Sequence, residues 1–408
     1  MPKNLLAVAA VAVLHLAAPA ALFAQEAAPA DAPSPATIAM RWQLLNPEVN
    51  AFTLRNTQDV WTHREVAAPP SARALPQGQA LAMPAAKING AAADYEQWAE
   101  ATRTNAFLVL RDGAVVFEDY RNLMTPATPH LGFSMTKTIT AMLVGQALAR
   151  GEIASLDDPV SRYVPALADG AYGAASIRNL LEMRSGADIE ERYDFGDNPS
   201  LAGRIHETAI IRNEARFADF AVGIGQRSEP GAAFNYATLD TAVLGWVLEE
   251  ATGQKLETLM QARIWEPLGA EARGHFLADG PVGQGRALNG MGFNAVLRDW
   301  ARLGQLMLDE GMAGDTRVLP EGWTGQMATM KPTEAAGFPG YGLQVWQVDD
   351  EPGAYSAVGL AGQYVYVHPA SRTVIVKLSY HPPIEPEWLT PDEVAYFGAI
   401  AHAQGETR

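Results

Sequence analysis

The sequence predicts an α/β (α+β) fold: an antiparallel sheet flanked by helices, carrying an inserted, mostly helical domain. Three observations predict it. Runs of strand character lie near both ends, at 106–110 and 114–118 and again at 341–346, 363–367 and 373–378. Helix-period segments sit beside them, after Ser134, over 297–310 and over 393–403. Between the two groups of strands, residues 151–290 read as short helical segments joined by long polar loops. The expected layout is one discontinuous α/β domain, 41–150 with 291–408, around a helical insertion at 151–290. The chain has 408 residues, 48% of them apolar, which is enough to bury a large core. No internal repeat is visible.

The elements follow in order. Residues 1–24 open with Lys3, continue through an alanine-rich apolar run and end in small residues, the pattern of a cleaved signal peptide. A retained membrane anchor is the alternative, although His15 and Pro19 interrupt the run. Cleavage after Ala24 implies a periplasmic or secreted protein. Residues 25–40 are Ala/Pro-rich and read as a disordered spacer. Residues 40–90 have no clean period and read as an extended wrapping segment. Tyr95 to Ala101 reads as a helix. Arg111-Asp112-Gly113 is a turn signal between two apolar runs, hence a hairpin.

Past Ser134, residues Ile139, Met142, Leu143, Gln146 and Ala147 recur at helical spacing on one face, and Gly151 stops the helix. Residues 177–183 form a short helix ended by Ser185-Gly186. A loop with Glu190, Glu191, Tyr193, Asp194 and Asp197 follows. Thr238 to Thr252 is a helix closed by Gly253.

Composition excludes several function classes. The formal net charge of −16 argues against nucleic acid and against anionic membrane surfaces. There is no cysteine, so disulfides, thiolate metal sites, a cysteine nucleophile and a lipoprotein anchor are all ruled out. The eight histidines are scattered without metal-ligand spacing, so neither a metal nor a cofactor is expected. His130 reads as a loop histidine, because no Gly-x-Ser-x-Gly elbow accompanies it. His368 reads as a turn residue. The acidic loop reads as solvated. Trp323, Trp346 and Tyr364 read as core or strand packing.

The chemistry centres on Ser134-Met135-Thr136-Lys137. Residues three apart on a helix are neighbours on one face, so the Lys137 amine lies one turn from the Ser134 hydroxyl. A lysine made neutral by burial can take the serine proton. The tetrad alone is a weak signal, equally compatible with a polar first turn. Two further pieces strengthen it. Tyr236 stands just before the 238–252 helix and can relay a proton. The run Gly359-Leu360-Ala361-Gly362-Gln363 lets backbone approach a substrate.

Ser-x-x-Lys, the tyrosine and the Gly-rich strand, in this order, resemble the serine β-lactamase and penicillin-binding superfamily. The likeness is closer to its class C-like branch of esterases, D-aminopeptidases and aminohexanoate-dimer hydrolases. Supporting stretches are 109–113, 176–186, Pro267-Leu268-Gly269, 299–304 and 341–346. The resemblance covers most of 100–385 and implies a β-lactamase/transpeptidase-like fold. It implies Ser134 as acylated nucleophile, Lys137 and Tyr236 as acid–base pair, and the N–H groups of Ser134 and Leu360 as oxyanion hole. It implies substrate contacts at Tyr193, Gly359, Gly362 and Gln363. Two departures stand out. Tyr-x-Asn becomes Tyr236-Ala237-Thr238, and Lys-Thr-Gly becomes Ala357-Val358-Gly359. Both weaken a β-lactamase reading and suit a small-molecule ester or amide substrate. The alternatives are a D-amino-acid peptidase, a weak β-lactamase, or an inactive penicillin-binding-like binding protein.

Overall fold

The computed structural model describes residues 32–195 and 197–403. The expected signal segment 1–24, and residues 25–31 of the expected spacer, lie outside the described residues. Within the rest of that spacer the structure corrects the expectation: Pro35–Arg41 is a helix. The Ser34 hydroxyl accepts from the Thr37 N–H at 3.1 Å, and Pro35 stands at the first helical position. The helix is anchored by Arg41, whose buried guanidinium donates to the Ile211 carbonyl at 2.8 Å and to Asn213 Oδ1 at 2.6 Å. Among the described residues, no helix is long and apolar enough to cross a membrane.

The main sheet has eight antiparallel strands. Their order is Lys331–Pro332, Gly340–Tyr341, Trp346–Gln347, Tyr355–Gly359, Gln363–His368, Thr373–Ser379, Thr104–Arg111 and Ala114–Tyr120. The chain therefore starts the sheet at one edge, leaves, and returns to finish it. The central strands read as unbroken apolar runs because both faces are covered. In Thr104–Arg111, Ala106, Leu108 and Leu110 face one core cluster, while Phe107 and Val109 face a second. Helix Leu297–Leu308 packs on the first face. Helices Tyr95–Ala101 and Leu389–His402 cover the other, where Trp98 meets Phe107, Tyr396 and Phe397. The wrapping segment guards an edge: the Gly78 and Leu81 N–H groups donate to the carbonyls of Val115 and Val116.

Sequence periodicity predicted one continuous strand over 341–346. The structure breaks it into two short strands, because Gln344 takes φ 62° and turns its amide to the carbonyls of Leu180 and Leu181. A second, four-stranded sheet was not anticipated. It joins His63–Val66, Gly274–Leu277, Phe293–Ala295 and His130–Leu131. His130 is accordingly not a loop residue: it is fully buried, its Nε2 lies 3.2 Å from Asn105 Nδ2, and burial lowers its pKa to about 4. It is a neutral structural group.

The helix after Ser134 spans Met135–Ala149. It is not amphipathic, as its period suggested, but buried on every side from Met135 to Ala147. Its polar side chains are spent on neighbouring backbone: Thr138 on Gln344, Thr140 on Asn289, and Gln146 on Arg263 and Val318. Gly145 allows the indole of Trp323 to lie flat against it; a Cβ there would sit 2.3 Å from the ring. The second long helix, Thr238–Thr252, crosses this one and ends at Gly253 in the left-handed conformation.

Candidate active site

Ser134 occupies the N-cap of the central helix, but its hydroxyl does not cap it. The preceding Phe133 takes φ 44°, an uncommon value for a bulky residue. This turn is held from two sides. A Cβ on Gly132 would meet Trp300 at 2.3 Å, and one on Gly359 would meet the Gly132 carbonyl at 2.2 Å. Gly132 thus makes room for the Trp300 ring, and Gly359 lets the end of strand Tyr355–Gly359 approach the serine turn directly.

Lys137 is buried and its Nζ lies 3.0 Å from Ser134 Oγ, 3.0 Å from Thr238 Oγ1 and 2.7 Å from the Gly290 carbonyl. Burial lowers its pKa to about 8, against the opposing pull of the Glu191 and Asp240 charges. The Thr238 hydroxyl donates to Glu191 Oε1 at 2.5 Å, and the Thr238 N–H donates to Glu191 Oε2 at 2.8 Å. That direction matters. With its own proton committed to Glu191, Thr238 Oγ1 accepts from Lys137. A neutral Lys137 has two N–H donors, and Thr238 and Gly290 consume both. Its lone pair is then left to face the Ser134 hydroxyl.

Tyr236 stands two residues before the Thr238 helix, with its side chain beside that of Ser134. Burial raises its pKa, so the phenol is protonated at rest. The Lys137 Nζ lies 5.0 Å from the centre of its ring. Trp346 packs on Tyr236 at 5.2 Å and on Phe338 at 4.9 Å, so this tryptophan backs the site, while Trp323 and Tyr364 are core.

Sequence reasoning missed Glu191. It was expected among solvated acidic residues, and Glu190, Asp194 and Asp197 are indeed exposed. Glu191 instead turns inward to Thr238, 47 residues away in the chain. Tyr193, from the same loop, brings its hydroxyl to Glu191 Oε1 while the residue stays 40% exposed. It therefore stands at the rim. No spacing rule links a loop acid to a helix-start threonine; only the Thr in place of Asn signalled a change there.

Leu360 follows the last ladder pair, Gly359 with Gln363, so its N–H lies outside the strand ladder, as that of Ser134 precedes the first helical turn. Two expected substrate contacts face the wrong way. The Gln363 amide donates to the carbonyls of Ala361 and Ser379, both at 2.8 Å, and its Oε1 accepts from the Ser379 N–H at 3.0 Å. It clamps the turn and has nothing left for a ligand. Gly362 faces the buried ring of His381, 2.3 Å from where a Cβ would be. Beneath this turn His381 Nε2 and Lys377 Nζ share Glu393 Oε1, at 3.0 and 2.7 Å.

The Beta-lactamase family model matches residues 99–389. The 6-aminohexanoate-dimer hydrolase of Paenarthrobacter ureafaciens is 32% identical over 319 residues, covering 75% of this chain and 78% of that one. Esterase EstB of Burkholderia gladioli is 33% identical over 159 residues, covering 36% of this chain and 38% of the esterase. Among solved structures, a Bacillus anthracis protein assigned as a 6-aminohexanoate-dimer hydrolase superposes with a TM-score of 0.79. That match covers 91% of this chain and 98% of the other at 22% identity, a likeness of fold. Matched by the family model over residues 99–389 and by a 32% identical hydrolase over 75% of its length, the chain belongs to the β-lactamase family and is a serine hydrolase of that family.

Proposed function

We propose that the protein cleaves an ester or amide bond of a small molecule through an acyl-enzyme on Ser134. The observation that carries this is the Lys137 amine, buried, neutralisable and directed at Ser134 Oγ by two fixed acceptors. In this reading Lys137 takes the serine proton as Oγ attacks the carbonyl carbon. The N–H groups of Ser134 and Leu360 receive the developing oxyanion. Tyr236, beside Ser134, passes a proton to the leaving group. Water then attacks the acyl-enzyme by the reverse proton path, releasing the acid and restoring Ser134. Glu191 acts through Thr238, fixing which way the Lys137 lone pair points.

The substrate reading is a short ester or linear amide rather than a β-lactam. Ala357 stands where β-lactamases carry a cation for the β-lactam carboxylate, and it is buried in the sheet. Purified enzyme should be tested on short-chain esters, D-amino-acid amides, linear amide oligomers and nitrocefin. Ester or amide efficiency is expected to exceed that for nitrocefin by orders of magnitude. Nitrocefin turnover equal to that of a short ester would reject the assignment.

The lysine also dictates a pH profile. Its lowered pKa of about 8 leaves most of the enzyme with a protonated, incompetent base at pH 7. The sign follows: kcat/KM rises about tenfold per pH unit below that value and levels off above it. Steady-state kinetics across the neutral-to-alkaline range measure this. A rate that is flat or falls from pH 6 to 9 would show that Lys137 is not the base.

A further inference from the structure

Glu351, His368 and His402 come from three separate segments: a loop, the end of strand Gln363–His368, and the last turn of the closing helix. Among the described residues they form the one group of three donors able to share an ion, with all ligating atoms within 4.8 Å of one another. Glu351 Oε1 lies 3.0 Å from His402 Nε2, and Oε2 lies 3.8 Å from His368 Nε2. Donors around a tetrahedral ion with bonds of about 2.0–2.1 Å stand about 3.3 Å apart, so closure requires only a small shift. His402 can supply it, being 59% exposed at a helix end.

The inner histidine has the support that a ligand needs. His368 is buried, and its Nδ1 lies 2.7 Å from Ser371 Oγ. That hydroxyl donates onward to Thr373 Oγ1 at 2.9 Å, leaving its lone pair toward the imidazole. With that lone pair 2.7 Å away, Nδ1 carries the ring proton and donates it to Ser371 Oγ, which leaves Nε2 free to ligate. A second carboxylate adds negative charge. Asp349 accepts from the Tyr366 hydroxyl at 2.8 Å and from the Glu351 N–H at 3.2 Å.

We propose that Glu351, His368 and His402 form a site for a divalent transition-metal ion of the zinc class. Two imidazoles and one carboxylate select such an ion over magnesium or calcium, which demand oxygen ligands. The exposed side leaves a fourth position for water. His368 ends the strand that Gln363 begins, so the site stands about 17 Å along that strand from the turn bearing Leu360. Its role is to fasten the closing helix and the Glu351 loop to the sheet, apart from the Ser134 chemistry. The competing account is a His–Glu–His ion-pair set that is indifferent to metals.

The test uses untagged protein stripped with a chelator, titrated with zinc ion by calorimetry and followed by thermal melting. One equivalent should bind and raise Tm, and magnesium should do neither. His402→Ala and Glu351→Gln should each weaken zinc binding at least about tenfold and abolish the rise in Tm, with ester turnover unchanged. His402 is exposed, so its variant keeps the fold. No zinc uptake by the unaltered protein would overturn the site. So would zinc binding that is as tight in both variants, which would place the ion elsewhere, for example at the His63–His275 ring pair.

Discussion

Ser134→Ala is expected to lower turnover by roughly four to six orders of magnitude while leaving the fold intact. The hydroxyl is the group to be acylated, and no neighbouring side chain can take over its bond to the carbonyl. Lys137→Ala and Tyr236→Phe should each cost several orders of magnitude, for related reasons. Lys137 faces Ser134 Oγ at 3.0 Å, and Tyr236 stands beside the same side chain. Groups serving one proton path act as a unit, so the Lys137→Ala, Tyr236→Phe double variant should be little worse than the worse single one. Circular dichroism must confirm folding before rates are compared. Near-normal turnover in Tyr236→Phe with a dead Lys137→Ala would make the phenol structural and the lysine the sole relay.

Glu393→Ala is the largest expected stability change, a loss of about 3–5 kcal/mol. Glu393, Lys377 and His381 are all essentially unexposed, and one carboxylate oxygen serves both cations. Removing it leaves buried Lys377 without a carboxylate at contact distance and His381 with Glu385 alone, at 3.1 Å. Burial pushes the Glu393 pKa up, but His381 and Lys377 outweigh it and hold the carboxyl below its usual value. Its stabilisation is therefore present above the ordinary carboxylate range and lost as pH falls through the lowered value. Burial opposes the His381 charge too, yet Glu393 keeps its pKa raised, so that contribution is full in mild acid and lost as pH climbs past the raised value. Urea denaturation of the variant should show the loss, and adding Lys377→Met should recover part of it. A loss below about 1 kcal/mol would mean that the cluster is solvated.

Much of the fold was legible because its signals are local. The hairpin announced itself by Asp112-Gly113, and helix Thr238–Thr252 matched its expected bounds because Gly253 ends it in a conformation open to glycine. The strand runs were readable because burial on both faces makes them apolar throughout. The second sheet was not, since its strands are two to four residues long and two of its three pairings join segments more than 160 residues apart. The helix at Pro35–Arg41 was hidden by Ala/Pro composition, and its anchor, Arg41, finds partners only in the folded chain.

The site divides the same way. Ser134 and Lys137 are neighbours by helical spacing and were visible together. Tyr236 and the Gly359–Gln363 turn stood out only beside that tetrad, and the resemblance supplied their roles. Glu191 was invisible, because its role exists only once Thr238 is beside it. Gln363 was misread for the converse reason: a polar residue in a Gly-rich run looks available, and only the structure shows its amide consumed by the turn.

The central claim is that Ser134 is the nucleophile. A fluorophosphonate probe reacts with an activated serine hydroxyl and not with a merely exposed one. Labelling the folded protein, followed by peptide mass spectrometry, is expected to show one adduct, on the peptide carrying Ser134. Labelling should rise with pH as Lys137 loses its proton, and should vanish in Lys137→Ala. An adduct on another residue, or no adduct on protein shown to be folded, would contradict the account.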